Sequence, residues 1–259
     1  IAGVNSVSSA ITQAIASQGQ SLLAGDVRFE LRNRTATPEE MAYFQGLGDV
    51  SLSTGLRSMA RLPDGSDQTL VEARGVDGAY PLYGALETVP RQPSADLMAR
   101  QGDAWGAIVA PLLLDRLNIA VGDEILLGNA KIKVTATMAR EPDAVSEGFG
   151  LAPRLMLSQE ALQASGLIQT GSLVENAYRI RLTNPDASIA TIRDDSAKAF
   201  PTAGWSIRTA DSAAPSLTAN ITRFSQFLTL VGLTALIVGG VGVANAVRAY
   251  LDSKRSVIA

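Results

Sequence analysis

Between Arg223 and Arg248 the chain runs for 24 residues, 224–247, without one ionisable side chain. A helix rises about 1.5 Å per residue, so about 20 apolar residues cross a bilayer core, and this run is long enough to span. Gln226 and Asn245 lie near its two ends, where polarity costs less than at mid-membrane. Arg248, Lys254 and Arg255 follow, with Asp252 among them. A basic flank of this kind faces the cytoplasm and anchors the helix at anionic headgroups. The long upstream portion is then expected outside the inner membrane. The competing reading, a core helix of a soluble domain, is disfavoured because such helices seldom run so far without a charge.

Glycines 232, 239, 240 and 242 interrupt the run, and Ala235/Gly239 and Gly242/Ala246 form small-xxx-small pairs. Such pairs let a second helix approach closely, so Ala235, Gly239, Gly242 and Ala246 are the candidate helix-packing residues. The fragment Gly240-Val241-Gly242 lacks the preceding strand of a dinucleotide loop and implies no cofactor.

The chain has neither histidine nor cysteine. That excludes a Ser-His-Asp site, an HExxH zinc site, a thiolate nucleophile and a disulfide framework. Its formal net charge of −3, with charges scattered along the sequence, makes it a poor nucleic-acid binder, since phosphate neutralisation needs a concentrated basic face. Ser158 and Ser172 have no GxSxG context, and no GxxxxGK[ST] loop is present, so ATP hydrolysis is not expected of this chain.

Residues 1–24 carry no charge, and Val4, Val7, Ile11, Ala14 and Ile15 recur at helical spacing, which predicts an amphipathic helix. There is no basic n-region of a signal peptide, and the segment reads as the continuation of a preceding membrane helix. From Asp26 to Arg32 the residues alternate, with Val27, Phe29 and Leu31 on one face and charges on the other, the mark of a half-buried strand. Thr37-Pro38-Glu39-Glu40 provides an N-cap, a proline in the first turn and a capping-box glutamate for a helix ending at Gly46–Gly48. Extended stretches 50–62 and 68–76 flank the turn Pro63-Asp64-Gly65. The first 80 residues thus read β-α-β-β.

Residues 91–154 are rich in turns and short strands (107–110, 125–127 and 131–138) around a proline-opened helix at 111–117, and read as a small β-rich inserted subdomain. The α/β pattern then resumes. It has a strand at 154–157, a helix capped by Ser158, a strand at 178–182, a helix from Asn184-Pro185-Asp186 to about Phe200 and a strand at 205–208. A helix over 211–223 is expected to lead into the membrane run. The fold class is α+β: two α/β stretches, 25–90 and 155–212, flanking the insertion, with a stalk and membrane helix at 213–248 and a cytoplasmic segment at 249–259.

Several phrases in order carry a resemblance: SQGQSLLAGDVRFEL within 9–31, ATPEEMAYF at 36–44, RSMARLPDG at 57–65 and VDGAYPLYG at 76–84. AREPD at 139–143, LAPRLMLS at 151–158, LIQTGSLV at 167–174 and VRAYLDSKRSVIA at 247–259 complete it. Over nearly all 259 residues the chain resembles the extracytoplasmic loop and second membrane helix of FtsX-like, macrolide-exporter-like ABC permeases. These are relatives of the lipoprotein-releasing permeases, and the closer likeness is to permeases whose operon partners include a periplasmic esterase. The resemblance implies a periplasmic "porter" part with an inserted "sabre" part, in a multi-pass inner-membrane protein. It also implies a cytoplasmic ATPase subunit holding ATP and magnesium, and a second permease copy. ATP-driven motion would be transmitted to the periplasmic domain.

Candidate sites are few. Tyr80-Pro81-Leu82-Tyr83 is either an apolar surface for lipid-like cargo or the partner permease, or a rigid turn whose tyrosines cover the core with solvated hydroxyls. Glu141-Pro142-Asp143 places two carboxylates together, but the expected reading is a solvated turn and not an acid–base pair. Asp64, Asp67, Asp123 and Glu124 lie in turns without calcium-loop spacing, so no metal is expected. The expected function is a non-enzymatic ABC permease segment acting on hydrophobic or lipid-linked cargo. The alternative is a membrane-tethered periplasmic scaffold or binding module that recruits or activates an envelope enzyme. A membrane enzyme is disfavoured by the absent histidine and cysteine and the lack of an organised carboxylate site.

Overall fold

The computed structural model describes residues 19–20, 23–143, 152–184, 187–209, 226–236 and 239–248. The chain divides into two compact units, Ser17–Ala213 on the one hand and Ile1–Ala16 with Ala214–Ala259 on the other. The helices expected over 211–223 and over most of 1–24 lie outside the described residues.

Within Ser17–Ala213 the β-α-β-β start is present. Strand β1 is Val27–Arg32, helix α1 Pro38–Leu47, strand β2 Gly48–Arg61 and strand β3 Gln68–Val76. Helix α1 opens on a complete capping box: Thr37 Oγ1 accepts from the Glu40 amide and the Glu40 carboxylate accepts from the Thr37 amide. The middle segment adds β4 Glu87–Val89, α2 Ser94–Leu97, β5 Arg100–Gln101, β6 Ala104–Val109, α3 Pro111–Leu117, β7 Glu124–Leu127 and β8 Ala130–Arg140. Strand β9 Arg154–Ser158, α4 Gln159–Ala164, β10 Glu175–Leu182, α5 Ile189–Ala199 and β11 Ser206–Thr209 follow. Helix α5 starts later than expected. The Asn184 carbonyl accepts a turn bond from the Ala187 amide, and Ser188 supplies the cap by accepting from the Thr191 amide.

Among the described residues, eleven strands join one sheet in the order β11-β1-β10-β2-β3-β9-β6-β8-β4, with β5 on β6 and β7 on both β2 and β8. Strands β3/β9 and β6/β8 pair in parallel and the other pairs are antiparallel. Because β7 hydrogen-bonds to the far end of β2 (Ala60 opposite Leu127), the strands β2, β3, β9, β6, β8 and β7 close into a ring. The strands of 91–154 are thereby hydrogen-bonded into the same sheet as the flanking stretches. One core cluster joins ring side chains such as Val71, Ile125, Ile132 and Leu155 to Leu113 and Leu117 of α3. At Gly106 of β6 an added Cβ would lie 2.0 Å from the Leu97 carbonyl oxygen, so only glycine lets α2 lie so close.

A second core fills the space between β1, β10, α1 and α5. Phe29 stacks near Phe44 (ring centroids 4.6 Å apart) and Trp205 (5.0 Å), as the alternation of β1 predicts. The other face of β1 departs from expectation. Arg28 and Glu30 are each only 3% exposed, so that face is covered as far as Arg32, which is exposed.

The second unit contributes a helix Gln226–Arg248, long and apolar enough to cross a membrane. Its described side chains are exposed throughout.

Candidate functional site

Strand register places a row of arginines on one face of the sheet. Arg28 faces Arg179 across β1 and β10, Ala177 faces Ser53, Gly55 faces Arg74 and Arg57 faces Glu72. On the opposite face the same strands carry Val27, Phe29, Tyr178, Ile180 and Leu52, which pack in the core around α1 and α5. A two-faced sheet is what alternation dictates. Its polar face is not left to water, however. Glu141 and Asp143, just after β8, and Tyr80, just after β3, lie over it.

Asp143 is fully buried and is the centre of this cluster. Its carboxylate accepts from Arg74 Nη2 (2.6 Å), Arg74 Nη1 (3.3 Å), the Tyr80 hydroxyl (2.6 Å) and Arg179 Nη2. Arg179 also donates to Ser53 Oγ and to the Leu23 carbonyl (3.2 Å). Arg74 Nη1 reaches Glu141 Oε1 at 2.6 Å, and Arg154 Nη1 holds the other Glu141 oxygen. Both guanidiniums lie over the Tyr80 ring, Arg74 at 5.0 Å and Arg179 at 5.5 Å. The reading of Glu141-Pro142-Asp143 as a solvated turn is therefore corrected: Glu141 is 7% exposed and Asp143 0%.

Burial by itself would raise the Asp143 carboxyl, but the charges of Arg74 and Arg179 outweigh it and hold the group well below the usual carboxylate range. Burial pushes the Tyr80 phenol well above its ordinary value, although Arg74 works against the rise. At neutral pH the cluster thus holds an ionised carboxylate whose oxygens are taken by fixed cations, and a neutral phenol whose proton is committed to it. Such groups are poorly placed to exchange protons with a substrate. The arrangement acts as a brace, tying β2, β3, β9 and β10 to the segment after β8.

Beside the brace the same face opens into a cleft of about 720 Å3. Gly55 of β2 lies on its floor, Arg32 and Arg57 are exposed at its edges, and Leu173 of the α4–β10 loop lines one wall.

The residues singled out by sequence fall in different places. Tyr80 is 5% exposed and belongs to the brace, so it is corrected from a surface residue, and from a core cover with a solvated hydroxyl. Pro81, Leu82 and Tyr83 are half-buried, and the Tyr83 hydroxyl donates to Asp26 Oδ2 at 3.1 Å. Asp64 caps its own exposed turn by accepting from the Ser66 amide and hydroxyl. Ala235, Gly239, Gly242 and Ala246 are exposed on the apolar helix, and a Cβ at either glycine would meet nothing within 4 Å. Arg248 ends the helix, whereas Lys254 and Arg255 lie outside the described residues. Sequence reasoning missed Arg74, Arg154 and Arg179. The only local signal was their alternation against apolar neighbours, which also marks a solvated face.

Over 261 aligned residues the chain is 26% identical to the uncharacterized ABC transporter permease YbbP of Escherichia coli (strain K12), a match covering 100% of this chain and 31% of that protein. No family model matches the chain. Among solved structures, the periplasmic region of MacB from Actinobacillus actinomycetemcomitans is 9% identical with a TM-score of 0.45, covering 74% of this chain and 92% of that one. The extracellular domain of the noncanonic ABC-type transporter YknZ from Gram-positive bacteria is 12% identical with a TM-score of 0.43, covering 70% and 100%. The chain is thus similar along its whole length to one segment of an ABC transporter permease, as the FtsX-like resemblance of its motifs implied.

Proposed function

We propose that this chain is the part of an ABC permease that converts ATP-driven motion in a partner into movement of a periplasmic domain, on behalf of hydrophobic or lipid-linked cargo. The observation that carries the reading is the end-to-end match to a permease segment. The exposed apolar helix Gln226–Arg248 and the cross-braced sheet support it, since a domain moved by a membrane helix must be stiff to pass on displacement. Coupling then means that two conformations of the permease differ in affinity for the nucleotide state of the partner. That partner is a cytoplasmic ATPase subunit, which supplies ATP and magnesium. A second permease copy packs through Ala235, Gly239, Gly242 and Ala246, while Arg248, Lys254 and Arg255 hold the cytoplasmic end at lipid headgroups. A periplasmic esterase is the further partner that the motifs imply.

The test is purification of the full-length protein in lipid discs with candidate ATPases. The expected result is a stable complex whose ATPase rate changes on reconstitution and falls with Gly239→Leu. A complex and rate unaffected by Gly239→Leu would remove the packing face from the proposal. Recovery of an envelope enzyme with no ATPase would overturn the permease reading in favour of a tethered scaffold.

A further inference from the structure

The charges in the cleft do not cancel. Arg28 is paired with Glu30 (3.0 Å) and Glu175 (3.4 Å), Arg74 with Glu141 and Asp143, and Glu72 faces Arg154 Nε at 3.9 Å. The side chains of Arg32 and Arg57, by contrast, make no hydrogen bond or ion pair with another described residue. The unmatched charge of the cleft is therefore positive. The two arginines are separated by strand β10 and by the two-residue step from Gly55 to Arg57. Two strand spacings of about 4.8 Å and two residues of about 3.4 Å put their Cα atoms roughly 12 Å apart, on either side of the floor.

That floor is open by composition. Gly55 faces Glu175 and Arg74 in register, yet an added Cβ would meet nothing closer than the Glu175 carbonyl oxygen at 4.0 Å, and its φ is not in the left-handed region. The fold does not require glycine here, and glycine weakens a strand interior, so its effect is to deepen the cleft. The lining carries apolar side chains as well. Leu173 is 82% exposed, and Leu167 belongs to the same lining. A volume of about 720 Å3 suits a small organic ligand and far exceeds a bare tetrahedral anion.

We propose that this cleft binds a single-chain amphiphile with an anionic head group, the head held by Arg32 and Arg57 over Gly55 and the first carbons of the chain lying against Leu167 and Leu173. Guanidinium forks match phosphate and carboxylate oxygens, and exposed leucine beside them distinguishes an alkylated anion from a free one. The inference deepens the cargo reading and rests on it only for what the bound molecule would be doing there.

The experiment is calorimetric titration of the full-length protein in phosphatidylcholine discs, without any ATPase, using hexyl phosphate with empty discs subtracted. Inorganic phosphate and hexanol are the head-only and chain-only probes. Saturable binding of hexyl phosphate is expected, about tenfold or more weaker in the Arg32→Gln/Arg57→Gln double variant and in Gly55→Leu. Arg181→Gln, an exposed arginine that pairs with Asp49 outside the cleft lining, should bind as the parent does. Arg32 and Arg57 are both exposed, so the double variant should keep the parent's circular dichroism and melting temperature. No saturable signal, or a signal unchanged in the folded double variant, would overturn the proposal. Inorganic phosphate binding as tightly as hexyl phosphate would overturn the amphiphile in favour of a free anion. Because no ATPase takes part, each of these results is independent of whether the permease reading stands.

Discussion

Replacing Asp143 by asparagine keeps the shape of the side chain and removes the charge at the centre of the brace. Arg74 and Arg179 would then be left in a region where their side chains are 5% and 0% exposed, short of the carboxylate that both contact. Removing one member of a buried, hydrogen-bonded ion pair costs about 3–5 kcal/mol, much of it the burden of the stranded cation. For a domain of 150–250 residues each kcal/mol lowers the melting temperature by about 2–4 °C, so Asp143→Asn should lower it by roughly 6–20 °C. Glu141→Gln should cost less, because Arg154 is 14% exposed and reaches water while Arg74 keeps Asp143. Arg181→Gln breaks an ion pair that is 47% and 66% exposed at its two ends, and should leave the transition in place. The assay is thermal unfolding of the full-length protein followed by the emission of Trp105 and Trp205. A melting temperature for Asp143→Asn within error of Arg181→Gln would refute the claim that the cluster braces the sheet. Combining Asp143→Asn with Arg179→Met should cost less than the sum of the two, since the cation stranded by the first change is removed by the second.

The depressed Asp143 carboxyl also sets a pH dependence. Its stabilisation is complete above the ordinary carboxylate value of about 3.9 and is lost as pH falls from there toward the lower folded value. The parent should therefore lose stability more steeply than Asp143→Asn below about pH 4 and run parallel to it between about pH 5 and 8, and equal acid slopes would contradict this. At the start of α1, Thr37→Ala should cost about 1 kcal/mol of stability by removing the acceptor of the Glu40 amide. Glu40→Ala should cost more, because Glu40 also takes hydrogen bonds from Arg34 at 2.6 and 2.8 Å. The order of the two melting temperatures checks this.

Much of the secondary structure is legible from a few residues at a time. Thr37-Pro38-Glu39-Glu40 fixes where α1 begins because the atoms that cap the helix lie within three residues of one another. Pro111 and Ser158 likewise mark the starts of α3 and α4. The late start of α5 shows the limit of the same signals. Asn184 and Ser188 are both competent caps, and only the chain path selects Ser188. The brace was not legible. Arg74 is 69 residues from Asp143, Arg179 is 36, and each sits at a strand position that alternation alone assigns to water.

The amino-acid sequence by itself determined the 24-residue uncharged run, the β-α-β-β opening, the apolar face of β1 and the motifs that mark a permease segment. All of these depend on spacing within a turn or a pleat, or on the order of short phrases. Only the tertiary structure decided that β7 closes a ring onto β2, that the polar face of the sheet is covered around Arg74 and Arg179, and that Arg32 and Arg57 are left unmatched beside an open floor. The physical reason is range. Periodicity says which side chains share a face, but whether that face meets water, a carboxylate or a ligand depends on what returns over it from tens of residues away.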